Sequence, residues 1–318
     1  MDPRPTEPFP DIADRDGIAT LSKRLRDGVD PTDHTPIVSI SDIHGYLDDA
    51  RRALLTLADH PEYDPVVVPD DDGRLHWADG GYVLVFNGDL IDRGPDNEAV
   101  VRLVSRLLAE APPGRVRVTL GNHEMGVLTP DSFGWRDWYS GRIGDDGRRA
   151  FCRAIRDGHV VAAYEGYGVT YAHAGRPDPY DVAAANDALA AAAEDVAAAV
   201  GTPSDETTQR RAIEEYPLVL GLGGRGGRGE GAGLAWLDFS RLPPDAPPQV
   251  VGHTRHDRPT RTGNVVCENV IRRNRRTAGG EAVLVETVDG LSALRRRPDG
   301  SVAERSFDHP GGRRGERS

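Results

Sequence analysis

Apolar positions in this chain fall into short runs separated by polar turns, and the runs alternate between two periods. Residues 36–41 (PIVSIS), 82–86 (YVLVF) and 115–120 (RVRVTL) have strand length and strand composition. Between them, 47–58 has helical spacing through Leu47, Leu54, Leu55 and Ala58. Residues 97–108 do the same, with Val100, Val101, Val104, Leu107 and Leu108 on one face. Further on, 160–164 and 168–172 predict a β-hairpin turning at 165–167, and 249–252 a short strand. Residues 282–288 and 291–295 predict another hairpin around Asp289 and Gly290. Strand and helix in alternation predict an α/β fold.

Two stretches break the alternation. Residues 131–158 carry Trp135, Trp138 and Tyr139 and read as a helical insertion whose tryptophans form its core. A second insertion, 178–245, contains an Ala-rich helical run over 181–216 and reads as a cap. Asp187, Glu194 and Asp195 interrupt the Ala run, so it is not a membrane segment. Residues 1–35 read as a polar tail with one short helix near 18–27, 36–309 as the folded domain, and 310–318 as a disordered tail.

Charge narrows the partners. The 318 residues carry a net charge of −12, and Lys23 is the only lysine beside 38 arginines. Short hydrated carboxylates in excess suit a salt-adapted, halophilic protein, because salt screens their mutual repulsion. Such a surface binds nucleic acid poorly, so no nucleic-acid partner is expected. Cys152 and Cys267 are expected as reduced thiols in a cytoplasmic protein. Neither a signal-like leader nor an 18-residue apolar run appears, so no membrane association is expected.

The chemistry lies where the strands end. Asp42 and His44 (DIHG) follow the first strand, Asp89 (GDLIDRG) the second and Asn122 (GNHE) the third. His173 (HAG) and His253 (GHT) follow two more. In an α/β sheet these ends converge where ligands bind. One Asp after a strand is most often a turn former, but five such motifs in order deliver oxygen and imidazole ligands to one place. Mixed Asp, Asn and His ligation suits two divalent ions: Mn²⁺, with Fe, Zn²⁺, Co²⁺ or Ni²⁺ as alternatives. A metal pair about 3.5–4 Å apart holds a hydroxide and clamps a phosphoryl oxygen. It needs a bridging carboxylate, a role that suits Asp89. Arg93 can take the phosphate bidentately. His123 is placed to protonate the leaving oxygen, with Asp92 to hold it.

These motifs resemble those of the calcineurin-like metallophosphoesterases. GDxxDRG with GNHE is similar to the phosphoprotein phosphatase type, and the stretch from Trp77 to Met125 resembles its bacterial, Shewanella-like branch. The resemblance implies a four-layer αββα sandwich with a helical cap. It also implies one metal on Asp42, His44 and Asp89, and another on Asp89, Asn122, His173 and His253. Asn122 and Arg93 would also contact the substrate phosphate.

Three positions depart from related patterns. Leu120 stands before GNHE where eukaryotic protein phosphatases usually have Arg, and Arg255 stands where many metallophosphoesterases have a second His. A second phosphate-binding Arg has no fixed place; Arg225 and Arg228, in the Gly-rich stretch 221–231, are the candidates. That stretch matches GxGxxG but lacks the following helix of a dinucleotide site. The basic run 272–276 reads as a solvated loop. The expected activity is hydrolysis of phosphomonoesters, on a phosphoprotein or a small molecule, by a metal-activated hydroxide. The alternatives are a diadenosine tetraphosphate or nucleotide hydrolase and a non-catalytic metal- or phosphate-binding module.

Overall fold

The computed structural model describes residues 22–307 except 31, 33 and 79. In chain order the strands are β1 (Ile37–Ile40), β2 (Val67–Pro69), β3 (Leu75–Trp77), β4 (Val83–Phe86), β5 (Val116–Thr119), β6 (Val160–Val161) and β7 (Tyr164–Glu165). They continue with β8 (Thr170–Tyr171), β9 (Gln249–Val251), β10 (Thr260–Thr262), β11 (Val265–Cys267), β12 (Ala282–Glu286), β13 (Leu291–Arg296) and β14 (Val302–Phe307). One sheet runs β14-β13-β12-β1-β4-β5-β6 and a second runs β10-β11-β9-β8-β7, with β2 and β3 as a separate ribbon. Pairing is parallel along β1, β4, β5 and β6, and again along β8, β9 and β11.

The strands look continuously apolar because both their faces are buried. Ile37, Val83 and Val85 point between the sheets, against Tyr171, Val250 and Val266. Val38, Ile40, Leu84 and Phe86 point the other way and share a core with Val100, Val104 and Leu107 of the Asn97–Glu110 helix. Each such buried side chain contributes about 1.5–3 kcal/mol. On the second sheet, Val251, Val265 and Cys267 face outward onto Leu234, Trp236, Leu237 and Phe239. The expected four layers are therefore present, but the outermost one on this side is the 217–246 segment, largely loop with short helical turns.

One expected hairpin is divided between the sheets. Val160 and Val161 pair with β5 in the first sheet, whereas Tyr164–Glu165 pairs with Thr170–Tyr171 in the second. The chain crosses at Ala162 and Ala163, where ladder pairing stops. Asn186 replaces the lost partners: its Oδ1 accepts both alanine N–H groups, at 2.8 and 3.1 Å, and its Nδ2 donates to Ala163 O.

Residues 1–21 and 308–318 lie outside the described residues. The described part of the expected tail is packed. The Lys23–Asp27 helix is capped by Ser22, buries Arg26, and offers the Leu25 carbonyl to the fully buried Arg117. Gly28 then bridges to Glu165.

The two insertions join into one cap. The Asp145–Arg156 helix packs on the Val182–Ala199 helix, whose first turn is capped by Asp181. Arg148 grips Asp205 with two bonds of 2.6 and 2.8 Å, and Gln209 pairs with both Asp205 and Asp131. Among the described residues, no helix is long and apolar enough to cross a membrane. Cys152 and Cys267 are buried free thiols.

Candidate metal centre

Five strand ends meet at one edge of the two sheets. Asp42, Asp89 and Asn122 come from the ends of β1, β4 and β5, and His173 and His253 from the ends of β8 and β9. The turns are stitched together. Asp42, His44 and Gly45 donate their N–H groups to the carbonyls of Gly88, Asp89 and Leu90 at 2.8–3.0 Å. Gly252 N–H donates to His173 O at 2.7 Å, and His253 N–H to Asp42 Oδ2 at 2.9 Å.

The backbone is held in an unusual state there. Asp42, His44, Asp89, Asp92, Arg93 and His253 all have φ between 50° and 72°. Non-glycine residues in this region carry strain of order 1–3 kcal/mol each, and such strain gathers at functional sites. The glycines beside them permit close approach. A Cβ at Gly88 would lie 2.5 Å from His173 Nδ1, and one at Gly121 would collide with Asp89.

The donor atoms converge on Asp89. Its Oδ2 lies 3.5 Å from His44 Nε2 and 3.3 Å from His173 Nε2. His253 Nδ1 is 3.3 Å from His173 Nε2, and Asp42 Oδ1 is 3.7 Å from His44 Nε2. His44, Asp89 and His123 form one cluster within metal-binding reach, and Asp89, His173 and His253 another, so Asp89 is common to both. Asp42 Oδ1 and Asn122 Oδ1 are buried without a hydrogen-bond partner. Buried oxygens left unpaired are costly, and a cation would satisfy both. The far nitrogens of two histidines are anchored on carbonyls, His44 Nδ1 on Ile91 O at 3.0 Å and His173 Nδ1 on Asn87 O at 2.9 Å. That anchoring is the usual support of a ligating imidazole. The residues present therefore fit a pair of divalent ions.

Electrostatics agree. Burial opposes charge on Asp89, yet His173, His123 and His44 hold its carboxyl well below the usual range. Burial likewise opposes charge on His173, but Asp89 outweighs it and pushes the imidazole up to about 10. His253 is driven the other way by burial, His173 and Arg228.

Beside this cluster sits a second group. His123 Nδ1 is 2.7 Å from Asp92 Oδ2, and its Nε2 is 3.4 Å from Arg93 and 4.0 Å from Asp89 Oδ2. Trp138 stacks on His123 with centroids 4.8 Å apart and planes 6° from parallel, and the Arg93 guanidinium lies 4.1 Å from the Trp138 ring centre. Trp135 stacks on His123 as well, at 5.2 Å. The tryptophans expected as insertion core thus line the candidate site, because the insertion folds over the second and third strand ends.

Sequence reasoning missed two supports. Glu124, wholly buried, accepts the N–H groups of Asp89, Leu90 and Gly121 at 2.7, 2.8 and 3.1 Å, tying two of the turns. Its signal was an acid at the third helical position after Gly121, where a side chain can reach back to the helix start. Ser140 donates to Asp92 through both N and Oγ, at 2.8 and 2.7 Å. Nothing local in the sequence marks it.

Of the two candidate arginines, one arrives. Arg228 Nε donates to His253 Nε2 at 2.8 Å, and its NH2 group to His253 O at 3.3 Å. Arg225 is exposed on the loop and makes no described bond to a site residue. Arg272, expected in a solvated loop, is half-buried in the short Ile271–Asn274 helix and senses the charges of Arg93 and Arg255.

Residues 35–197, which contain Asp42, His44, Asp89, Asn122 and His173, match the family model described as calcineurin-like phosphoesterase. The chain belongs to the calcineurin-like phosphoesterase family. Within the family it is similar to a symmetrical bis(5′-nucleosyl)-tetraphosphatase of Legionella pneumophila (strain Lens), 35% identical over 103 residues, 32% of this chain and 29% of that protein. An uncharacterized protein of Schizosaccharomyces pombe is 38% identical over 92 residues, 28% of this chain and 25% of that one. The chain thus spans less than a third of the length of these curated relatives. In structure it is similar to a cold-active protein-tyrosine phosphatase of a psychrophilic Shewanella species, with TM-score 0.56 and 19% identity over 91% of this chain and 85% of that one. That likeness speaks to the fold.

Proposed function

We propose that this phosphoesterase is a two-metal phosphatase that hydrolyses phosphomonoesters. The observation that carries this reading is the His123–Asp92–Arg93 group set directly beside the cluster centred on Asp89. A binding module would have no use for a buried imidazole oriented by a carboxylate and facing the same point as a guanidinium.

Asp42, His44 and Asp89 would hold one ion, and Asp89, Asn122, His173 and His253 the other. When bound, such a pair supplies Lewis acidity to the phosphoryl oxygens and a nucleophile at neutral pH; Mn²⁺ is the proposed occupant. Arg93, fixed over Trp138, orients the phosphate, and Arg228, bonded to His253, is the second arginine at the site. Asp92 holds His123 through Nδ1, so that Nε2 delivers its proton to the leaving oxygen. Ser140 fixes Asp92, so the cap reaches the proton donor directly.

The likeness to the Legionella tetraphosphatase supports a second reading, cleavage of dinucleoside polyphosphates. The acidic composition supports activity in high salt, and the two free thiols support a reducing, cytoplasmic setting. Turnover of an aryl phosphate with Mn²⁺, before and after chelation, tests the first reading, and a panel of phosphopeptides, nucleotides and dinucleoside polyphosphates separates the two. Absence of turnover on every substrate with every divalent metal would refute both.

A further inference from the structure

The faces that meet between the two sheets change character as they near the metal site. Ile37, Val85 and Val266 pack there as apolar side chains. Two positions further along, towards the strand ends, stand Ser39, Asn87 and Glu268, and all three are buried.

These side chains bond to one another across the gap. Ser39 Oγ donates to Glu268 Oε2 at 2.7 Å, and Asn87 Nδ2 to Glu268 Oε1 at 3.1 Å and to Val250 O at 3.2 Å. Thr119 Oγ1 donates to Asn87 Oδ1 at 2.7 Å. Strands β1, β4 and β5 of the first sheet are thereby bonded to β9 and to the end of β11 in the second. Asn87 also meets the site, because its carbonyl accepts from His173 Nδ1 at 2.9 Å.

This seam matters because the candidate ligands come from both sheets. Asp42, His44 and Asp89 follow β1 and β4, and the bonds from His44 and Gly45 N–H to Asp89 and Leu90 O set them within one sheet. His173 and His253 follow β8 and β9 of the other. Apolar contact is non-directional and fixes no register between sheets, whereas a satisfied buried polar network specifies one arrangement. A buried carboxyl is also costly where packing alone is needed. Burial pushes that of Glu268 up to about 8, against the bonds from Ser39 and Asn87.

We propose that Glu268 is a positioning residue for the metal pair. Through Ser39 and Asn87 it locks the second sheet against the first, and so holds His173 and His253 beside Asp89 for the ion they would share. The other ion, held from one sheet, does not need that lock. The proposal rests on the metal-pair reading and adds to it a residue outside the strand-end motifs.

The test uses the full chain stripped of metal. Mn²⁺ is titrated by calorimetry, and spin coupling between two Mn²⁺ ions is followed by electron paramagnetic resonance. The wild type should bind two ions and give the coupled signal. Glu268→Leu should bind one ion within about twofold of wild type and the other about 10–100-fold more weakly, the usual effect of losing an outer support of metal ligands. Its coupled signal should appear only at correspondingly higher Mn²⁺. Glu268→Gln keeps an oxygen for Asn87 and a polar group for Ser39, and should restore the weakened affinity to within about threefold. If Glu268→Leu does not fold, Ser39→Ala, which takes one partner from the carboxyl, should weaken the same ion alone by about threefold or more. Equal weakening of both ions, or of neither, overturns the proposal, as does a Glu268→Gln protein as impaired as Glu268→Leu. A wild type that binds no second ion refutes the metal-pair reading and this proposal together. Two ions bound without aryl-phosphate turnover would refute only the hydrolase reading, and binding in the variants would still decide the role of Glu268.

Discussion

Asp92 and His123 are joined by a 2.7 Å contact between carboxylate and imidazole, buried under a stacked tryptophan. The same carboxylate takes two bonds from Ser140 in the cap. A short chain of contacts therefore runs from an insertion, through an acid, to the proposed proton donor. Asp92→Asn should leave the metal cluster intact and lower kcat by about 10²–10³, the size of a general-acid contribution. Ser140→Ala should lower it by about tenfold, as expected for one hydrogen bond to a charged group. Steady-state kinetics with metal content measured alongside would show this. Loss of metal without loss of orientation, seen as metal-restorable activity, would move Asp92 from proton donor support to metal site support.

Trp138 touches both His123 and Arg93. Cation–π and stacking contacts are worth about 0.5–2 kcal/mol each. Trp138→Ala should reduce kcat/KM by about tenfold or more, divided between KM through Arg93 and kcat through His123. Trp138→Phe should restore most of the loss. Equal loss in both variants would point to folding of the insertion instead.

Arg228 bonds to His253, whereas Arg225 faces solvent. We expect Arg228→Ala to raise KM for phosphate esters by about tenfold, the effect of one charged hydrogen bond, and Arg225→Ala to stay within about twofold, as surface substitutions do. The reverse ranking would mean that the loop turns over when substrate binds.

Arg148 and Asp205 tie the two insertions together. Burial resists ionisation of Asp205, but bonds from Arg148, Gln209 and Gly201 prevail and lower its pKa to about 2. A depressed carboxyl contributes stability that is complete above the ordinary Asp value near 4 and is lost as pH falls towards 2. Thermal unfolding of the wild type should therefore exceed that of Asp205→Asn at neutral pH, with the gap closing over this acid window. A gap independent of pH would show that packing, and not the charge, holds the cap.

Much of the candidate site was legible because each candidate ligand follows a short apolar run and sits close to a glycine, a local signature. Asp42, His44, Asp89, Asn122, His173 and His253 are brought to one edge as that pattern implied. What the pattern could not reveal was which sheet each strand joins. Val160 and Val161 look like the start of the next hairpin until Asn186, far along the chain, takes the amides at the crossing. The strands β10, β11 and β14 are too short or too polar to stand out, and are fixed by neighbours already in place. Ser140 escaped notice and Trp138 read as insertion core for the same reason, since their partners lie across the fold.

The proposed bridging role of Asp89 is tested most directly by titrating Mn²⁺ into chelator-stripped protein while following aryl-phosphate turnover, for the wild type and Asp89→Asn. The wild type should regain turnover as two ions bind per chain, and the variant should bind fewer and stay inactive by about 10³-fold or more. Full turnover of the stripped wild type, or an Asp89→Asn protein that binds two ions and turns over normally, would contradict a metal pair bridged by Asp89.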